Sequence, residues 1–349
     1  MRRALHVAVK VVLLAGLLLL ATASPAAADP PEPGEYRSII QKVEPTLPVL
    51  QVRILGGDSF LEVAVERGRE LLVYAYAAST PDGKGEPFLR IRADGVVEEN
   101  QQSPYTYSIQ DRYGIVQTPQ SLNPAGPPQW KQVATGGTYA WHDHRVHWMS
   151  PERKPGLEPG DIVQEWTVPM TVDGQNVSVS GVVVLEHPIA TWPWFALIVI
   201  VAGGVIVLGR GTSTFVAALA LTLAAAGALL AGMAERSIVP PGAGGSSLVV
   251  TLPAVALAAG ALALVLHRRA IGVIASLLSV ATLAGWAVMR FAVLVEPVLP
   301  TDLSFNVDRA ITAAALGVCA AASVLAVRSG GLIPKLPELT DDEPVPIPS

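Results

Sequence analysis

One run of eleven residues holds the densest chemistry in the chain: Tyr139-Ala140-Trp141-His142-Asp143-His144-Arg145-Val146-His147-Trp148-Met149. Three of the protein's six histidines fall within six positions of it. On a strand, residues two apart share a face, so His142 and His144 can chelate one ion together. His147 then points to the opposite face unless a turn or bulge intervenes, and Met149 adds a soft thioether. Neutral imidazoles with an optional thioether suit copper first and zinc second, rather than magnesium or calcium. Asp143 can orient a histidine from behind. Two other readings stay open. Arg145 repels a cation unless Asp143 or Asp111 pairs with it, and the flanking Trp141 and Trp148 suit a packed polar network in a core. An organic or peptide ligand is the third.

A second group runs from Asn100 to Gly114 and carries Tyr105, Tyr107, Asp111, Arg112 and Tyr113. These side chains either line a ligand or partner surface together with Trp141, Asp143, Arg145 and Trp148, or cover the core as an ordered loop. The sequence offers no nucleophile elbow, phosphate loop or zinc-protease helix, so an enzyme is not the expectation. Asn176-Val177-Ser178 matches a glycosylation sequon inside an expected strand, and it carries no weight.

The elements that must position these residues follow from composition. Charged residues make up only 15% of the 349 positions, 51% are apolar, and the 24 basic and 29 acidic residues leave a net charge of -5. Mean hydropathy is +0.44. Such a chain places much of its length in lipid, and its charge excludes a broad nucleic-acid surface. Cys319 stands alone, which excludes an intramolecular disulfide.

Residues 1–28 read as a secretory signal: Arg2, Arg3 and Lys10 precede an apolar run, and Ala26-Ala27-Ala28 supplies a small-residue cleavage site. An uncleaved anchor is the competing reading. Residues 29–190 carry short alternating or β-branched runs at Val49–Ile54, Phe60–Val65, Glu70–Ala75, Phe88–Arg92, Tyr139–His142, Ile162–Val168 and Asn176–Leu185. Asp173-Gly174 marks a hairpin between the last two. The expectation is an all-β external domain, an immunoglobulin-like sandwich.

Residues 191–329 then hold five apolar runs: Trp194–Leu208, Thr214–Met233, Leu248–Leu266, Ile271–Val295 and Ala310–Val327. We expect an all-α region of five transmembrane helices, with close packing through Ala and Gly. Their interiors look nearly free of ionisable residues. Arg290 is the exception, serving either a gating role or snorkelling to the interface. Basic joints at Arg210, 267–269 and Arg328 place the C-terminus in the cytoplasm and the N-terminal domain outside. Residues 330–349, rich in proline and acid, read as a disordered tail.

Gly85-Glu86-Pro87-Phe88-Leu89-Arg90, the 100–103 segment, the Trp141–Met149 run and Val298-Leu299-Pro300-Thr301 together resemble a family of actinobacterial membrane proteins. The likeness covers most of the mature chain and implies a layout rather than an activity. More loosely, the layout is similar to the copper-resistance C and D proteins, which pair an external β-sandwich copper chaperone with a membrane partner. It departs from them in having no histidine after the cleavage site and no His or Met ladder in the helices. The functional expectation is a membrane-anchored binding module that captures copper, or else an envelope assembly protein that docks a protein partner. The lipid bilayer is its partner in either case.

Overall fold

The computed structural model describes residues 31–76, 85–109, 118–150, 152–211, 213–240, 246–267 and 269–328. The signal sequence, the 330–349 tail, and Asp111, Arg112 and Tyr113 lie outside the described residues.

The described residues of the N-terminal part form ten strands: β1 (Tyr36–Glu44), β2 (Leu50–Leu55), β3 (Phe60–Val65), β4 (Leu71–Tyr74), β5 (Pro87–Ile91), β6 (Val96–Asn100), β7 (Trp130–Thr135), β8 (Thr138–Trp141), β9 (Ile162–Val172) and β10 (Gln175–Leu185). They form two antiparallel sheets, one ordered β1-β10-β9-β4-β5-β6-β7 and the other β2-β3-β8. Sheets of seven and three strands differ from the four and three of an immunoglobulin constant domain. The two sheets bury one core, in which Leu61, Val63 and Trp141 of the small sheet meet Leu71, Phe88, Val168 and Val183 of the large one. The β9–β10 hairpin turns on Asp173-Gly174, both at positive φ, as the sequence anticipates.

Strands β1, β6 and β7 were not anticipated. β1 and β7 are the two edges of the large sheet, where one flank of each strand is unpaired and polar residues are tolerated on both faces. A bulge between Ile40 and Lys42 further breaks the alternation of β1. β6 carries two adjacent acids, one on each face, both of them partnered. Glu98 pairs with Arg90 of β5, and the Tyr139 hydroxyl of β8 donates to Glu99 Oε1 at 2.7 Å, tying the small sheet to the large one.

A short helix, α1 (Pro104–Ser108), follows β6 and is capped by Ser103. After β10 come α2 (Trp192–Leu208), α3 (Ser213–Ser237), α4 (Leu248–Val265), α5 (Ala270–Met289), a 3-10 turn at Phe291–Leu294, and α6 (Phe305–Arg328). Four of these, α3 to α6, are long and apolar enough to cross a membrane, which makes this a membrane protein by length and composition. At 17 residues α2 is shorter, and it packs along α6.

Small residues set the helix packing. Ala225, Ala228, Ala231, Ala256 and Ala315 are fully buried at the seams. Gly232 lets α3 approach α4 so closely that a Cβ there would lie 2.0 Å from the Val249 carbonyl. That carbonyl is special because Pro253, four residues on, has no N–H to donate to it. The indole Nε1 of Trp286 on α5 donates to it instead at 3.0 Å.

Arg290 does not snorkel. It is 5% exposed, and its guanidinium meets both Asp308 carboxylate oxygens at 2.6 and 2.8 Å, the Glu235 carboxylate, and the face of Trp286. Charge is therefore gathered at one end of the bundle, where the end of α3, the end of α5 and the start of α6 converge. A short apolar window cannot reveal this, because the acids come from helices 55 and 18 residues away from Arg290.

The β domain is seated on that same end of the bundle. Gly34 and Val298 exchange two backbone hydrogen bonds of 3.0 Å. Gly57, at positive φ in the β2–β3 turn, leaves room for Val298, whose Cγ1 would lie 2.3 Å from a Cβ at that position. Beside it, Gly56 faces Ile238 just past α3.

Candidate functional site

Strand β8 ends at Trp141, and the chain then turns, with the Val146 N–H donating to the Asp143 carbonyl at 3.0 Å. The turn sends alternate side chains of the run in two directions. Asp143, Arg145 and Val146 enter the domain core, while His142, His144 and His147 gather against one another. The strand rule placed His147 on the far face; the turn brings it next to His142 instead.

The three rings are all buried. Their centres lie 4.4 Å apart for His142 and His147, 5.5 Å for His144 and His147, and 6.0 Å for His142 and His144. The Nδ1 of His142 meets the carbonyl of Ser59 in the β2–β3 turn, and its ring edge packs on Phe60. With Nδ1 as the donor in that bond, the tautomer is fixed, the proton on Nδ1. The Gln164 side-chain amide donates to the carbonyls of Arg145 and His147, both at 2.9 Å, and so pins the loop from β9. Among the described residues, no group of three or more His, Cys, Asp or Glu side chains is arranged to hold a metal ion. Met149 is half-buried, two residues beyond His147.

Asp143 and Arg145 form a separate polar unit. The guanidinium binds both carboxylate oxygens, Nε to Oδ1 at 2.8 Å and Nη2 to Oδ2 at 2.7 Å. Its Nη1 donates to the Tyr74 and Ala75 carbonyls. Trp141 Nε1 donates to the same carboxylate at 2.9 Å. Burial by itself would raise the Asp143 carboxyl. The adjacent guanidinium, its hydrogen bonds and the neighbouring Tyr105 hydroxyl outweigh that and hold it at about 2. The same pairing, against the cost of burial, keeps Arg145 more firmly protonated than usual. The arginine that would have repelled a metal is thus neutralised inside the run, as the sequence reading required of Asp143.

Of the tyrosine segment, Tyr105 reaches this unit and Tyr107 does not. Tyr105 is buried against Phe88 and Tyr76, its ring 5.1 Å from the Arg145 guanidinium. Desolvation pushes its hydroxyl well above the usual tyrosine range. The Tyr107 hydroxyl instead donates to the Gln101 carbonyl. Asn100 organises the segment: its amide donates to Pro87 O and its side-chain oxygen accepts from the N–H groups of Gln102 and Gln129. Within the described residues, Tyr105 and Thr106 of α1 are buried against the core. Trp148 is half-buried and donates to the Glu152 carbonyl.

Ser59 and Gln164 are the contributors that sequence reasoning missed. One acts through a backbone carbonyl 83 residues from its histidine, and the other through an amide on a strand. Neither has a residue-type or spacing signal. The chain matches no family model, no curated protein and no solved structure. The class rests on the architecture itself, a two-sheet β domain seated on apolar helices of membrane-spanning length.

Proposed function

We propose that the protein is a membrane-anchored binding module whose β domain captures a transition-metal ion, copper first and zinc second, through His142, His144 and His147. The observation that carries this reading is the mutual packing of three buried imidazoles with centres 4.4 to 6.0 Å apart. With metal–nitrogen bonds of about 2 Å, three imidazoles around one tetrahedral ion have centres roughly 5 Å apart. The observed spacings bracket that value, which supports the reading, and capture requires the rings to rotate toward a common point. The Ser59 carbonyl behind His142 supplies the outer support that ligating histidines commonly have. Met149 is the candidate for a fourth, softer ligand.

In this reading α2 is a fifth span, with Trp192 at the headgroup level. The β domain faces outward and the C-terminus lies in the cytoplasm. The role is capture rather than catalysis. The alternative reading is an envelope assembly protein that docks a protein partner through the β domain.

The test is a titration of the full-length, detergent-solubilised protein with Cu(II) and Zn(II) in competition with a chelator, alongside His142→Ala/His144→Ala. We expect one equivalent bound by the parent and none by the variant at unchanged circular dichroism. A folded parent that binds neither ion removes the metal reading and leaves the docking one.

A further inference from the structure

A cleft of about 420 Å³ opens where the β domain meets the helices. Its polar lining comes from Arg37 on β1, Glu186 and His187 just after β10, and Ser304, Asn306 and Arg309 at the start of α6. Arg309 is the unusual member. It is 3% exposed, and it donates to the carbonyls of Val293, Glu296 and Pro297 at 2.7 to 3.2 Å. Its neighbour Asp308 is turned away and committed to Arg290. Among the described residues no carboxylate forms an ion pair with Arg309. Its guanidinium also lies over the Phe305 ring, 5.7 Å from the centroid. A buried cation held by carbonyl dipoles and a ring face, with no carboxylate of its own, is not charge-neutralised and favours an anion beside it.

The other charges in the lining are Arg37 and Glu186, 3.5 Å apart and both partly exposed. In the lining itself two guanidinium groups, Arg37 and Arg309, face one carboxylate, Glu186, so basic groups outnumber acidic ones. The first turn of α6 adds its N-terminal dipole and the Ser304 and Asn306 side chains on the same side. Position narrows the ligand. Ile189 and Phe305 also line the cleft, and they stand beside the first turns of α2 and α6. That is the level at which an apolar helix such as α6 leaves the hydrocarbon core and meets headgroups.

We propose that this cleft binds a phosphate group at the membrane surface, and that the phosphate is the headgroup of an anionic phospholipid. Arg309 and the start of α6 receive the phosphate oxygens, Arg37 exchanges part of its contact with Glu186 for the same group, and Phe305 and Ile189 contact the glycerol and upper acyl region. The site is separate from the histidine cluster, and it stands or falls independently of metal binding.

The test uses full-length protein in neutral micelles at constant ionic strength. Its thermal midpoint is followed as phosphatidylglycerol, phosphatidylcholine or inorganic phosphate is added. Arg309 also holds the loop carbonyls, so its loss can unfold the junction. Arg37→Gln and Asn306→Asp are the working variants, since both change the charge of the cleft without removing a buried contact. We expect stabilisation by phosphatidylglycerol but not phosphatidylcholine, with the half-saturating lipid fraction raised about fivefold or more in each variant. Inorganic phosphate giving the same stabilisation, with no added effect of the lipid, would overturn the lipid assignment in favour of a soluble phosphate. No anion-dependent shift, or an equal shift in parent and variants, would overturn the site.

Discussion

Replacing Asp143 by Asn separates scaffold from site most cleanly, because it leaves every histidine in place. The substitution keeps the shape of the side chain but strips the charge from a carboxylate that is fully buried and receives Arg145 through two oxygens and the Trp141 indole through one of them. Two routes give the cost. Removing one member of a buried ion pair strands the other and typically costs about 3–5 kcal/mol. Independently, the carboxyl is held at about 2 against an ordinary 3.8. At 1.36 kcal/mol per unit, that is roughly 2.5 kcal/mol of stability tied to its ionisation. The folded-state value is depressed, so this contribution is present above the unfolded value near 4 and disappears as pH falls toward 2. For a domain of this size, where 1 kcal/mol moves the midpoint by about 2–4 °C, Asp143→Asn should lower the thermal midpoint of the β domain by roughly 6–20 °C at pH 7. Circular dichroism in the β region, in detergent, reads it. An Asp143→Leu/Arg145→Met double variant should recover most of the loss, because it leaves no stranded charge. A shift under 2 °C in Asp143→Asn would refute the assignment of this pair as the anchor of the histidine loop.

Within the bundle, Trp286→Phe leaves the Val249 carbonyl without its donor and should cost about 1–3 kcal/mol in denaturation of the helical part. In a Pro253→Ala background, where residue 253 can donate to that carbonyl, the same change should cost measurably less. Equal costs in both backgrounds would show that the indole hydrogen bond carries no stability. At the sheet junction, burial raises the Glu99 carboxyl, against the opposing Tyr139 hydrogen bond and Lys131. A raised carboxyl favours the folded state at low pH, and that contribution is lost as pH rises through the folded value. Glu99→Gln should therefore melt higher than the parent at pH 8, with the difference closing near pH 4. A gap that does not vary with pH would contradict the assignment.

Legibility followed physical scale. The large hairpin, the inner strands and the long apolar helices could be read because alternation and hydropathy are written within ten to twenty adjacent residues, as at β9, β10 and α3. Strands β1 and β7 were hidden by the polarity that sheet edges require. The histidine run was visible by composition, but its geometry was not. The turn at residues 143–146 overrides the two-residue period, bringing His147 to His142 and sending Asp143 and Arg145 inward. Arg290 was misjudged for a related reason, since its partners lie on other helices and a single window reports only the lipid-like surroundings. The seating of the β domain on Val298 involves two glycines and a valine, residues with no chemical signature of their own.

The most direct test of the central claim is the electron paramagnetic resonance spectrum of the full-length protein with one equivalent of Cu(II). Three imidazoles gathered from a single turn predict nitrogen hyperfine structure from at least three equatorial nitrogens. That structure should be reduced in His147→Ala as much as in His142→Ala, because those two rings are the closest pair. A spectrum of aqueous copper, or a bound signal unchanged by both substitutions, would contradict the account.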